Sequence, residues 1–195
     1  MSTFILYFKL GYRHILDLYG IEHMLFIIAL MAIYLLRDWK KVLFLFLFYL
    51  IGNSISLNLS VNRIINPNPE IINYLVSVTL FIAAVSNVFR TEKSTIIRRP
   101  TKYLFAVIYG IIQGFGLAHY FSNIIDINRK ITLPLIAFNL GIESGYLLIL
   151  FLYLIISWIF VNNLGVSKKT WYLVISSAIA GIALTFMFES RYWIQ

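Results

Sequence analysis

The sequence predicts an all-α protein, a polytopic bundle of transmembrane helices, and two observations lead to this fold class. Hydrophobic residues make up 61% of the 195 positions, charged residues only 12%, and the mean hydropathy is +0.85, whereas soluble domains carry about 25% charged residues. The apolar residues also fall into runs long enough to cross a bilayer as helices, which takes about 20 residues each.

Six apolar runs have this length, and we expect them to form a single transmembrane domain. The predicted spans lie near residues 20–36, 42–61, 71–89, 103–125, 133–160 and 171–188. The fifth run is longer than a bilayer requires, so we expect it to tilt, kink or extend into water.

The stretch before the first span, residues 4–19, is apolar but contains four ionisable side chains. They are Lys9, Arg13, His14 and Asp17. This mixture predicts an interfacial amphipathic helix rather than a seventh span.

The basic residues indicate how the spans are oriented. The connections after the first, third and fifth runs hold ten Lys and Arg, and the opposite side holds six. The positive-inside rule therefore predicts both termini outside. The formal charge of +8 follows this topology, so we expect the lipid bilayer and no nucleic acid as a partner. The chain has no Cys, which excludes disulfides and thiolate ligands, and we expect no removable signal peptide.

One carboxylate stands out because it lies inside the fifth span. Glu143 is surrounded by apolar residues, and an ionisable group at the centre of a span costs about 2.5–3.5 kcal/mol. Such a group predicts a functional polar site. Asn139 lies four residues earlier and therefore shares its helix face.

Other polar residues fall at a similar depth in the predicted topology. They are Glu22, His23, Asn53, Asn73, Gln113 and His119. Polar groups inside lipid normally face one another or a water-filled cavity, so we predict a shared polar site in the outer half of the bundle. Alternatively, each residue could form a hydrogen bond that holds two helices together, or could lie among the lipid headgroups.

Small residues flank two of these positions. Gly110 and Gly114 enclose Gln113, and Gly141 and Gly145 enclose Glu143. The G-x-x-x-G spacing lets helix backbones approach within a membrane. We therefore expect close helix packing in the fourth and fifth spans, and similarly around Gly181 in the sixth.

Five ordered blocks of the chain carry a family resemblance. They are residues 11–26, 38–43, 52–57, 110–116 and 138–145. The last reads Phe-Asn-Leu-Gly-Ile-Glu-Ser-Gly, beside a family pattern of Phe-Asn-x-Gly-x-Glu-x-Gly. The first ends in Gly-Ile-Glu-His-Met-Leu-Phe, beside Gly-x-Asp-His-x-Leu-Phe. With these blocks the chain resembles the HupE/UreJ family of bacterial membrane proteins, which is associated with nickel and cobalt uptake.

The chain keeps some of the family's polar positions and changes others. It retains His14, His23, Asn139 and Glu143. It departs at Glu22, where Asp is usual, at Asn53 and Gln113, where His is usual, and at Asn73, where many relatives carry Glu. Imidazole and carboxylate suit nickel, cobalt or zinc, whereas Asn and Gln offer only a weaker carbonyl oxygen.

The resemblance implies a permease or binding protein for a divalent metal ion (nickel, cobalt or zinc) in the bacterial inner membrane, with no organic cofactor. The implied metal ligands are His23, Glu143, His14, Glu22 and Asn139, with Asn53, Gln113 and Asn73 as weaker candidates. Two other functions stay open. The replaced histidines are also what a degenerate accessory or structural paralogue would show. A metal-dependent intramembrane enzyme could use Glu143 as a general base, although no nucleophile motif supports catalysis.

Overall fold

The computed structural model describes residues 2–17, 21–90, 99–125 and 131–190, and within these ranges the chain is helical without strands. The α-helices are α1 (Thr3–Leu16), α2 (Ile21–Met31), α3 (Trp39–Val61), α4 (Pro69–Val88), α5 (Arg99–Ile124), α6 (Thr132–Trp158) and α7 (Lys168–Glu189). A 3-10 turn (Leu36–Asp38) precedes α3, and a π-helical turn (Ile159–Asn163) extends α6. The predicted fold class is confirmed.

Local sequence signals start two of the long helices. The Asn68 side chain accepts a hydrogen bond from the Glu70 N–H, and Pro69 occupies the first turn of α4. The Ser167 side chain accepts from the Thr170 N–H at the start of α7. Both arrangements satisfy donors that a helix N-terminus leaves unpaired. Five helices, α3 to α7, are long and apolar enough to cross a membrane.

The span predicted near residues 20–36 coincides only partly with a helix, α2, and a separate crossing here stays a prediction. Helix α2 has only 11 residues, which at 1.5 Å per residue extends about 16 Å, whereas the bilayer core is about 30 Å thick. By length and composition, the described helices give five crossings, or six if α1 and α2, which are bent by 67° relative to each other, cross together.

Helix α1, which the sequence predicted to be an interfacial helix, packs one face along α6. An added Cβ on Gly11 would overlap the Phe138 carbonyl oxygen, and one on Gly141 would overlap the Phe8 carbonyl oxygen. The backbones of α1 and α6 therefore touch at these two positions, because glycine has no Cβ to hold them apart. Ionisable residues such as Lys9 point away from this face and are exposed, so the amphipathic pattern is real but its apolar side covers protein.

Helices α3 and α5 form a second tightly packed pair. An added Cβ on Gly110 would overlap the Tyr49 carbonyl oxygen, and one on Gly52 would overlap the Val107 carbonyl oxygen. Helices α4 and α7 form a third pair, but Gly181 of α7 has no described atom within 4 Å of an added Cβ. The expected close packing is thus present in α5 and α6 and absent at Gly181.

Hydrogen bonds connect the short helix α2 to its neighbours. Asn87 of α4 donates from Nδ2 to the Ala29 carbonyl at 2.8 Å. Tyr153 of α6 donates its hydroxyl to the Ala32 carbonyl at 2.9 Å, and Trp171 of α7 donates from Nε1 to the Tyr153 oxygen at 3.1 Å. The Ala29 carbonyl lies in the last turn of α2 and the Ala32 carbonyl directly after the helix, so side chains of α4 and α6 supply hydrogen bonds at this helix end.

The helix termini lie at two opposite ends of the bundle. The last turns of α3, α5 and α7 and the first turns of α4 and α6 lie at one end, because consecutive spans alternate in direction. The opposite end holds the 3-10 turn, where Asp38 pairs with Lys41 at 2.7 Å and with Lys168 at 3.6 Å. This is the end that the positive-inside rule assigns to the cytoplasm.

We predict that α1 can be crosslinked to α6. An ideal Cβ on Gly145 would lie 3.0 Å from the Ile15 Cβ, close to the range of about 3.5–4.5 Å found in disulfides. The chain has no Cys, so the pair Ile15→Cys with Gly145→Cys should oxidise without background and alter mobility in non-reducing electrophoresis. The pair Ile15→Cys with Ser144→Cys is the control. Equal crosslinking of both pairs would contradict the docking of α1 on α6.

We also predict that Gly110→Ala lowers stability, because the new methyl group meets backbone of α3 and forces the helices apart. Overpacking of this kind costs about 1–3 kcal/mol. Gly181→Ala is the matched control, since no described atom lies within 4 Å of its added Cβ. Thermal unfolding of the two purified variants measures the difference. Equal transition temperatures would show that α3 and α5 do not depend on this contact.

Candidate functional site

A cavity of about 400 Å³ opens at the end of the bundle that the topology assigns to the outside. Side chains from α1, α2, α4, α5 and α7 line it. The polar and ionisable lining residues are His14, Glu22, His23, Asn73, His119, Tyr120, Asn123, Glu189 and Ser190. We call this space the histidine cavity, because all three histidines of the chain line it.

Two of the histidines lie next to each other. The rings of His14 and His23 have centroids 5.7 Å apart. His14 also stacks on the Tyr120 ring at 3.9 Å, with 23° between the planes. The packing of α1 against α6 places His14 here, so the glycine contact of those helices determines the position of a site residue.

The His23 side chain is held by Gln113. His23 Nδ1 and Gln113 Oε1 form a hydrogen bond between α2 and α5, and both residues are buried. With the amide oxygen as the acceptor, the proton of this hydrogen bond lies on Nδ1. That tautomer leaves a lone pair on His23 Nε2, which is the form of imidazole that binds metal ions.

Carboxylates complete the cavity. Glu22 of α2 accepts a hydrogen bond from Ser77 Oγ at 3.5 Å, and the same hydroxyl is 3.2 Å from the Asn73 carbonyl oxygen. Glu189, at the end of α7, lies close enough for its charge to act on Glu22. The cavity thus combines imidazole nitrogens with carboxylate oxygens.

The histidine and carboxylate side chains of the cavity do not form a complete set of metal ligands in this structure. Across residues 2–17, 21–90, 99–125 and 131–190, no three His, Asp or Glu side chains are placed to hold one ion. His119 in addition receives a hydrogen bond on Nε2 from Asn123 Nδ2 at 3.4 Å. A metal ion bound in this geometry would meet at most two of these side chains and would keep water as further ligands.

Glu143 belongs to a second polar cluster, formed between α6 and α3. Its Oε1 accepts from Asn139 Nδ2 at 3.0 Å and from Ser54 Oγ at 3.3 Å, and Asn139 also donates to Ser54 Oγ at 2.9 Å. These three residues are half-buried. None of them is among the residues that line the histidine cavity.

Asn53 lies between the two clusters, in the seam of α3 and α5. It is buried, and its Oδ1 has no hydrogen-bond partner among the described residues. An added Cβ on Gly114 would lie 2.9 Å from this oxygen. Asn53 therefore sits in a tightly packed contact and does not line the cavity.

The structure brings together some of the predicted site residues and separates others. His14, Glu22, His23 and Asn73 line one cavity, and Gln113 lies behind His23. Glu143, Asn139 and Asn53 lie elsewhere. The predicted site residues therefore do not all line one site in this structure.

The sequence prediction missed Glu189, Asn123 and Ser77. Glu189 could have been noticed, because it is the one acidic residue between positions 168 and 189. Its place at a helix end, however, is typical of a side chain that faces water and has no function. Ser77 and Asn123 carry no such signal, because single Ser and Asn residues are common between membrane helices.

Comparison with known proteins confirms the resemblance drawn from the five sequence blocks. A family model described as HupE / UreJ protein matches residues 1–190. No curated protein and no solved structure matches the chain. Because the family match covers almost the full length and the fold is a bundle of apolar helices, the chain belongs to the HupE/UreJ family of membrane proteins.

Proposed function

We propose that this protein binds a divalent transition-metal ion of the nickel and cobalt type in the histidine cavity and passes it across the membrane as a permease. The observation that carries the proposal is that all three histidines converge on one cavity together with Glu22 and Glu189. Nitrogen and carboxylate donors of this kind suit nickel, cobalt and zinc. The association of the HupE/UreJ family with nickel and cobalt supports the same class of cargo.

The first ligands in this proposal are His23 and His14. His23 offers Nε2, because its Nδ1 proton is engaged by Gln113. The ring of His14 is adjacent, and Glu22 supplies negative charge next to His23 in the chain. His119 and Glu189 also line the cavity and would act as later or alternative ligands.

An incompletely assembled site fits transport better than storage. A transported ion must bind well enough to enter and weakly enough to leave. With no three acidic or imidazole groups gathered in the described part of the chain, the ion would keep part of its water shell. Gln113 fits the same role, since it orients His23 without adding a third strong ligand.

The prediction that Glu143 and Asn139 bind the ion stays a prediction. In our proposal they act instead as a polar link between helices. Glu143 accepts from Ser54 across the α3 and α6 contact, so the carboxylate is committed to partners within the bundle. Replacing Glu143 should then affect stability and leave the metal affinity of the cavity in place.

An accessory role without transport is the second candidate. It is favoured by Asn53, which stands where relatives usually carry His and which lies in a packed seam. A protein of this kind would keep the fold and the polar links but bind no ion. The two candidates differ in whether the purified protein retains metal.

We predict that wild-type protein, purified in detergent and dialysed against nickel, retains about one ion per chain, because the imidazoles of His14 and His23 favour nickel. The double variant His14→Ala with His23→Ala should lose it, and Glu143→Gln should keep it. Elemental mass spectrometry measures the ratio of metal to protein. Uptake of nickel into proteoliposomes then separates transport from binding alone.

Two outcomes would contradict this proposal. Wild-type protein without metal would favour the accessory role. Loss of metal in Glu143→Gln, with the fold intact by circular dichroism, would instead return Glu143 to the ligand set and remove the histidine cavity as the sole site.

We further predict that Gln113→Leu weakens nickel binding by about 10–100-fold, the usual effect of removing a residue that orients a metal-binding histidine. The leucine cannot accept the His23 proton, so the ring loses its fixed tautomer and orientation. Gln113→Glu is the comparison variant: it keeps the size of the side chain and an accepting oxygen but adds a carboxylate, so it should bind nickel at least as tightly as wild type. Titration calorimetry on both variants measures the affinity. If Gln113→Leu binds as tightly as wild type, His23 does not bind the ion in the proposed way.

A further inference from the structure

A second cavity lies at the opposite end of the bundle from the histidines. It has a volume of about 180 Å³ and lies between the last turns of α2 and α4 and the first turns of α3 and α5. Its inner wall consists mainly of small and apolar residues. Its mouth carries Arg90, which follows α4, and Lys102, in the first turn of α5.

The charge of this cavity is uncompensated among the residues that the structure describes. The described lining residues include Arg90 and Lys102 and no Asp or Glu. The charges of Arg90 and Lys41 both repel the Lys102 ammonium. Among the described residues, Asp38 is the acid at this end of the bundle, and it is already paired with Lys41 and Lys168. Two cations at the edge of an apolar cavity create a favourable place for an anion.

The apolar surface next to the cations continues out of the cavity onto the outside of the bundle. Phe89 and Phe105 both line it, and they are 79% and 44% exposed. The hydroxyl-bearing side chains of Tyr34 and Tyr109 also line it. A ligand that fits has a negative head group that accepts hydrogen bonds and a hydrocarbon portion that leaves along the two phenylalanines.

We propose that this basic cavity binds an anionic phospholipid, with the phosphate between Arg90 and Lys102 and an acyl chain along Phe89 and Phe105. The positive-inside rule assigns this end to the cytoplasmic side, and basic pockets between helices on that side are suited to anionic head groups. The phosphate would neutralise the repulsion between the two cations and connect the end of α4 to the start of α5. This site is independent of the metal proposed at the other end.

The test is thermal unfolding of the full-length protein in detergent, with phosphatidylglycerol, phosphatidylcholine or inorganic phosphate added separately. Phosphatidylglycerol should raise the transition temperature of wild type by about 2–4 °C, the shift that roughly 1 kcal/mol produces in a protein of this size. Phosphatidylcholine and inorganic phosphate should produce no such rise. In the double variant Arg90→Gln with Lys102→Gln the effect of phosphatidylglycerol should disappear.

The matched control is Lys40→Gln with Lys169→Gln, which removes two positive charges at the same end but outside the cavity. This variant should respond to phosphatidylglycerol as wild type does. Native mass spectrometry provides a second measurement, with one phosphatidylglycerol retained by wild type and lost in the Arg90 and Lys102 variant. An equal response of both double variants would overturn the site. A rise with inorganic phosphate alone would overturn its assignment to a lipid.

Discussion

In a bilayer the polar groups of the backbone must find their partners inside the protein, because the surrounding hydrocarbon offers none. The short helix α2 shows how strongly this requirement governs the bundle. Asn87 and Tyr153 reach carbonyls at its C-terminal end from two different helices, and Gln113 holds His23 near its N-terminal end. A helix too short to cross alone is thereby connected to α4, α5 and α6, and the three helix pairs are joined around it.

The sequence was sufficient for the parts of the fold that depend on composition and spacing. The long apolar run around Glu143 predicts α6, and the glycines of α5 and α6 predict close packing, which Gly110 and Gly141 make with α3 and α1. The role of α1 was not predictable in this way. Lys9 and Arg13 give it the pattern of a surface helix, and the side of the helix opposite these charges can pack equally well against lipid or against another helix.

The sequence predicted the depth of the site residues in the membrane, but it did not predict which neighbouring helix each of them contacts. Glu143 and His23 fall in the same half of the bundle by residue counting, yet Glu143 contacts Ser54 of α3, whereas His23 contacts Gln113 of α5. Helical periodicity shows which residues share a face, but it does not show which helix that face meets. The contact of Gln113 could not be predicted either, because only the structure shows that its amide oxygen meets the His23 ring.

Helix α6 and its π-helical turn form one apolar element of 32 residues, from Thr132 to Asn163. At 1.5 Å per residue this element extends about 48 Å, more than the bilayer thickness of about 40–45 Å with headgroups included. It must therefore incline or protrude, and its inclination depends on membrane thickness. This one element makes three contacts: Gly141 meets α1, Glu143 meets α3, and Tyr153 meets the end of α2. A change in bilayer thickness would therefore act on an element that contacts three neighbouring helices at once.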